Sequence, residues 1–519
     1  MSMAGLRFVR AAVFMACCTG TAVYSADWPQ LQCTMQKTGR TTDSVLPPYR
    51  ARWIWFGSTY TVRNRLSVAT WTVNAYNLPS ETIIGNVAPL PATVPFTFSG
   101  TMQPVVAAGM VFVGDMDGKA YGIRADDGST AWVADLPGGT IGSPAYGNGV
   151  VAFGALTRCI RGFNAQTGAV VWEIPTRGPV VAPLVTNGSV VCVGCLDGHV
   201  YCINLTDGAM LWKSAYLGAQ IVGGLAMDAN HVYVPVETMY VHKLSLATGE
   251  SVLSKKVSGQ SFYRLWPVVY DNKLFVQAAG IPIVGSEYVG EQVMQGAASV
   301  SDEQDRWLQF LQGQGGFTNA SPDWKHLTVL SIADFTEPFQ VPDDPYEGCG
   351  TPPNPPCVAS VGGAERLLAY YKTKYVYLCK DSAFGTAYSI DISAMDLTNG
   401  RRIPIDNGRR ATNEWYTWET DNLYGMTSGG TMLYLRQGFR GTVGINLTTS
   451  NATVISTMYK SRDGGTWFPD LCYRNNYDSG ERVPDSTNPE VGGRIGPSIS
   501  GTLLLFTEDF CLTCLERQP

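Results

Sequence analysis

Ile123-Arg-Ala-Asp-Asp-Gly128-Ser-Thr-Ala-Trp132, Phe163-Asn-Ala-Gln-Thr-Gly168-Ala-Val-Val-Trp172 and Ile203-Asn-Leu-Thr-Asp-Gly208-Ala-Met-Leu-Trp212 are three versions of one segment. Their glycines are 40 residues apart, and a fourth version, Leu244-Ser-Leu-Ala-Thr-Gly249-Glu-Ser-Val-Leu253, follows at 41 with Leu in the Trp slot. A fixed period of this size identifies a repeat architecture. Within each copy a polar triplet ending in Gly separates two apolar runs. Asp and Thr bond their own backbone there and Gly takes positive φ without steric cost, which makes the triplet a hairpin turn. A second hairpin precedes each copy, at 105–114, 145–154, 185–194 and 225–234. Each repeat is therefore about four short strands, a sheet too small to bury both faces alone. Radial stacking of such sheets builds a shared core, the β-propeller solution. Trp132, Trp172 and Trp212 are expected to fill the gaps between neighbouring sheets, because one indole buries ~150–250 Å².

The pattern Ala-x-x-Thr-Gly-x-x-x-Trp, found at 165–172 with the spacing of its neighbours, resembles the PQQ-like β-propeller repeat. That family, of the quinoprotein alcohol dehydrogenase-like superfamily, includes quinoprotein dehydrogenases and the outer-membrane assembly propeller of Gram-negative bacteria. The opening Trp28-Pro-Gln-Leu-Gln32, with Thr38-Gly39-Arg40, is similar to that of secreted members. A WD40-like reading fits less well, since no Trp-Asp pair ends a strand in these copies. The resemblance is strong over 101–253 and patchy beyond.

Residues 1–26 read as a signal peptide: Arg7 and Arg10, an apolar run at 11–18, and small residues at Ser25 and Ala26. The run is too short to span a bilayer. Export to a secreted or periplasmic location is the expectation; a mitochondrial presequence is the alternative, since no acidic residue precedes Asp27. The remainder, 27–519, reads as a single propeller domain. A net charge of −6 gives no basic footprint for nucleic acid. Thirteen cysteines are present. Cys349 and Cys357 flank a Pro-rich loop and are expected to form a local disulfide in an exported chain. The spacings Cys192-x-x-Cys195 and Cys511-x-x-Cys514 suggest zinc, but residues three apart on a strand face opposite ways, so no metal is expected.

Taken in order, the copies at 101–253 are followed by a fifth repeat from Leu265. It is interrupted by a helix expected to be capped by Ser301 and Gln304, with Trp307, Leu308, Phe310 and Leu311 on its apolar side. A sixth repeat carries the turn 397–400 ending in Gly400, a seventh spans 423–454, and an eighth spans 495–516 with three strands only. The unpartnered strand 50–56 supplies the missing fourth, with Trp53 or Trp55 in the outer Trp slot. The expected fold is all-β: an eight-bladed propeller of four-stranded antiparallel blades, its ring closed by N- and C-terminal strands sharing a blade.

Alternating strand direction puts second-to-third loops and blade-to-blade loops on one face. The insertions at 57–99, 279–324, 338–362, 404–420 and 455–490 all belong there, and long loops concentrate function. They carry Trp415, Tyr416, Trp418, Trp467, Phe468, Tyr473 and Tyr477, residue types favoured at interface hot spots. This face is expected to bind a protein or glycan partner. The chain then acts as an interaction scaffold, with no catalytic residue and no cofactor. The alternative that the resemblance implies is a PQQ-dependent dehydrogenase oxidising an alcohol or sugar with calcium. Against it, the adjacent cysteine pair such enzymes typically carry is found here only as Cys17-Cys18, inside the signal peptide.

Overall fold

The computed structural model describes residues 27–519 apart from 48, 68–69, 73–95, 280–292, 294–295, 318–324, 343–354, 374–388, 404, 406–422, 438–440, 449–450, 456–472, 476–481, 485–494, 509–510 and 518–519. It is an all-β ring of eight antiparallel blades, with one short helix among the described residues. Blade one is Val105–Ala107, Met110–Gly114, Lys119–Arg124 and Thr130–Asp135, in that order from the axis outward. Blades two, three and four repeat it, beginning with the inner strands Ala145–Gly147, Val185–Thr186 and Ala226–Met227. Blade five begins at Val268–Tyr270 and has three strands among the described residues, blade six begins at Cys357–Val361, and blade seven at Leu423–Gly429. Blade eight joins Ser498–Ser500, Leu503–Thr507 and Leu512–Arg517 to Tyr49–Trp55 from the other end of the chain. The ring is thus closed as the sequence predicts. Glu516 reinforces the junction, accepting from Arg50 Nε at 2.7 Å and Arg52 Nη1 at 2.6 Å.

The cores lie between the blades. Val105, Phe112 and Trp132 of blade one pack with Val151, Phe153 and Phe163 of blade two, and the next gaps are filled alike. The repeat Trp fits a fixed socket. Each indole lies over the turn glycine of the following blade and donates to a carbonyl beside that turn: Trp132 to Ala165 O at 2.8 Å, Trp172 to Leu205 O at 2.9 Å, Trp212 to Leu246 O at 2.8 Å. Trp53, not Trp55, does the same across the closing junction, to Ala125 O at 3.0 Å. A Cβ at Gly128, Gly168, Gly208 or Gly249 would come within 2.4–2.7 Å of the indole, and each glycine has φ between +68° and +75°. These glycines therefore satisfy two demands at once, the turn's positive φ and the ring's close approach. Phe339 takes the socket over Gly400.

Three boundaries differ from the sequence reading. The 338–362 insertion stops before Cys357, because Cys357–Val361 is the inner strand of blade six. The helix Val300–Leu311 is capped by Ser299, whose hydroxyl accepts from Asp302 N at 3.1 Å while Asp302 accepts from Ala298 N at 2.7 Å. This reciprocal cap outcompetes one starting at Ser301; Trp307, Phe310 and Leu311 are buried, and Leu308 only partly. Within the 57–99 excursion, Thr61–Ser67 adds an outer strand to blade eight and Thr70–Thr72 an outer strand to blade seven. Among the described residues no helix is long and apolar enough to cross a membrane.

Candidate functional site

A four-stranded blade leaves its innermost strand with one unpaired edge, and eight such edges converge on the axis. Their amides need partners. Residues 28–43 provide them, visiting the blades in ring order. Val106 N donates to Trp28 O at 2.9 Å, Tyr146 N to Pro29 O at 2.8 Å, Met227 N to Met35 O at 2.8 Å and Val269 N to Gln36 O at 3.0 Å. Val358 N then donates to Thr38 O at 2.8 Å and Ser428 N to Gly39 O at 2.7 Å. In blade three a side chain replaces the backbone: the Gln30 carboxamide accepts from Thr186 N at 2.9 Å and donates to Thr186 O at 2.8 Å. In blade eight Asp43 accepts from Gly501 N at 2.6 Å. The donors in blades one to seven occupy one register position. Each is cross-strand to the equivalent apolar residue of the second strand, Val111, Val151, Val191, Val232, Leu274, Leu367 and Leu433.

The segment winds tightly enough that Gln32, Cys33 and Lys37 all adopt positive φ, at 58°, 64° and 61°. Trp28 is fully buried and its indole donates to Gln103 Oε1 at 3.1 Å; the same oxygen accepts from Gln32 N at 2.7 Å. Gln103 also donates to Gly496 O at 2.7 Å, tying blade one to blade eight. Lys37 is fully buried, with Nζ 3.2 Å from Leu31 O, 3.3 Å from Gln30 Oε1 and 3.5 Å from Leu184 O. Burial in this site lowers its pKa to about 7. Cys33 is partly buried beside it, and burial pushes its thiol up to about 12.

The loop face is uneven. Around blades one to four the blade-to-blade loops are short and interlock with the hairpins, as Leu136 N bonds Gly118 O at 2.8 Å and Leu156 N bonds Gly139 O at 2.9 Å. The insertions belong to blades five to eight and to the junction. The described part of the 279–324 insertion does not crown the axis. Its helix packs against the outer strand of blade six, where Gln304 Oε1 accepts from Arg402 N at 2.8 Å and Asp305 pairs with Arg401. Trp415, Tyr416, Trp418, Trp467, Phe468 and Tyr477 lie outside the described residues. Tyr473 belongs to the short strand Tyr473–Asn475, paired with Arg482–Pro484. Cys357 is buried and forms no disulfide among the described residues, and Cys349 lies outside them.

Other polar and thiol groups in the blades have structural partners. Asp115 accepts from the amides of Asp117 and Lys119 and from the Tyr121 hydroxyl at 2.6 Å, a hairpin turn. His199 Nδ1 lies 2.9 Å from Ser214 O, and His231 is paired with Asp228. Cys192 and Cys195 are buried, and the Cys195 thiol donates to Gly178 O at 3.2 Å. Among the described residues no group of three or more His, Cys, Asp or Glu is placed to hold a metal. The filled hub is the feature that sequence reasoning missed. Its signal was there in Trp28-Pro-Gln and Thr38-Gly39-Arg40, but a segment that pairs with eight separate strands has no periodicity of its own.

Ring, sockets and filled hub define the class as an eight-bladed propeller of interlocked repeats. The family described as outer membrane protein assembly factor BamB matches residues 69–195 and 196–299. This match supports the PQQ-like β-propeller repeat reading of the chain. Among solved structures, BamB from Moraxella catarrhalis is 14% identical over 81% of this chain and 97% of that one, with a TM-score of 0.43. The computationally designed Ika8 protein is 10% identical over 81% and 98%, with a TM-score of 0.46. No curated protein matches the sequence.

Proposed function

We propose that this protein is an exported, secreted or periplasmic, interaction scaffold that holds a protein or glycan partner on the loop face of blades five to eight. The observation that carries this reading is the asymmetry of the ring. Around blades one to four the loops are short and interlocked, while the long insertions, which carry the aromatic residues in the sequence, all fall in the repeats from five onward and at the junction. The matched family is described as an assembly factor for outer membrane proteins, and that description fits a role in holding other proteins.

The alternative, a PQQ-dependent oxidoreductase, finds less support at the hub. PQQ is a flat tricarboxylate and, with calcium, needs cations and carboxylates converging on one open pocket. The axis is instead lined by the chain's own residues 28–43, and Lys37 there is already bonded to three oxygens. The described hub residues do not fit that group.

A photo-cross-linking residue placed at 418 or 467 in the native host should capture the partner, and one placed at Asp127 or Asp207, on the short-turn face, should not. Replacing Trp418 and Trp467 by Ala should weaken a captured complex by ~2 kcal/mol or more if both are hot spots. Capture only from the Asp127 and Asp207 positions would overturn the proposal. Dye reduction after reconstitution with PQQ and calcium would establish the alternative.

A further inference from the structure

We propose that the hub is a peptide-binding site for one tightly wound segment, filled in cis by residues 28–43, and that this segment leaves and re-enters it without the blades unfolding. Most of the ring's contribution is backbone. Amides at a single register of seven blades point at the axis, an arrangement that binds carbonyl oxygens by strand addition, whichever chain they belong to. Specificity comes from two anchors at the start of the segment. The Trp28 indole enters a closed site on Gln103, and the Gln30 carboxamide pairs with both backbone groups of Thr186. The ligand class is therefore a turn-rich peptide opening with Trp-Pro-Gln.

Three features argue that the segment is exchangeable and is not simply an interior strand. It buries the Lys37 ammonium among oxygens that carry no formal charge, where a permanent core would hold an apolar side chain. Among the described residues the buried Gln32 Nε2 finds no acceptor, and three non-glycine residues of the segment are held at positive φ. The Trp sockets are built without residues 28–43, and the blades' ladders take only one two-residue pairing from them, Arg40–Thr41 beside Ser428–Gly429. In sequence the segment is joined to the blade-eight strand by Ser44-Val-Leu-Pro-Pro48, whose prolines carry no amide hydrogen.

Native-state hydrogen exchange on the full chain tests separability. The amides of Tyr146, Met227, Val269, Val358 and Ser428 should open together, with protection ~10-fold or more below that of the ladder amides between second and third strands. In a second experiment, a protease site inserted between Pro47 and Pro48 is cut after folding. A fluorescein-labelled peptide of residues 27–43 should then replace the resident segment with one-to-one stoichiometry while ladder protection persists. The same peptide with Gln30→Leu should bind ~10-fold more weakly or worse. Hub amides that exchange only with global unfolding would overturn the proposal. So would a labelled peptide that fails to enter, or that enters no better than a scrambled one. None of these outcomes bears on where a partner cross-links to the loop face.

Discussion

Replacing Lys37 by Met should change how stability depends on pH. The Lys37 side chain is fully buried, and burial lowers its pKa to about 7 in the folded protein. In the unfolded chain the value is about 10.4. Between these values the unfolded state binds more protons, so the folded state gains stability as pH rises, by ~1.4 kcal/mol per unit. Below pH 7 both states carry the charge, and the cost of burying it is present in full. A buried thiol acts the other way at higher pH: Cys33 is pushed up to about 12, so stability is lost as the unfolded thiol ionises from about pH 8.5. The clean window is therefore pH 7 to 8.5. Met fills a similar volume without the ammonium, so Lys37→Met should be the more stable protein at pH 6. Its advantage should shrink by about 2 kcal/mol between pH 7 and 8.5. Urea unfolding followed by tryptophan fluorescence at half-unit steps measures this difference. A gap between the two proteins that stays constant across the window would refute a neutralising, buried Lys37.

Trp172→Ala should cost ~3–5 kcal/mol, since it empties a socket between blades two and three, and Trp172→Phe should lose only the bond to Leu205 and part of the packing; equal losses for both would show that the hydrogen bond, not the packing, sets the cost. Gly208→Ala should destabilise by more than the ~1 kcal/mol ordinary for relieving or imposing turn strain, because the added methyl meets Trp172 at 2.4 Å; a neutral effect in thermal melting would mean the socket yields. The proposed Cys349–Cys357 bridge should appear in mass mapping of unreduced, exported protein, and two alkylatable thiols there would refute it.

How far the sequence alone reached follows from what is local. The turn triplets ending at Gly128, Gly168, Gly208 and Gly249, and the large residue four positions on, are encoded within ten residues, so the blade and its 40-residue period are legible without any contact map. The count of eight and the shared closing blade follow from the same logic, since a last repeat with three strands and an early strand without a partner complete each other. The choice of Trp53 over Trp55 was not legible: both lie on one strand, and only the position of Ala125 O and Gly128 on the neighbouring blade selects between them. Nor was the fate of the helix, which sits on the outer edge of blade six because Arg401, Arg402 and Gln340 meet it there. Above all, tertiary structure decided the hub. Residues 28–43 satisfy amides drawn from every blade, from Val106, 78 residues beyond Trp28, to Gly501, 458 residues beyond Asp43. Pairing at such distances leaves no pattern along the chain, because each partner is set by the ring's closure and not by its neighbours.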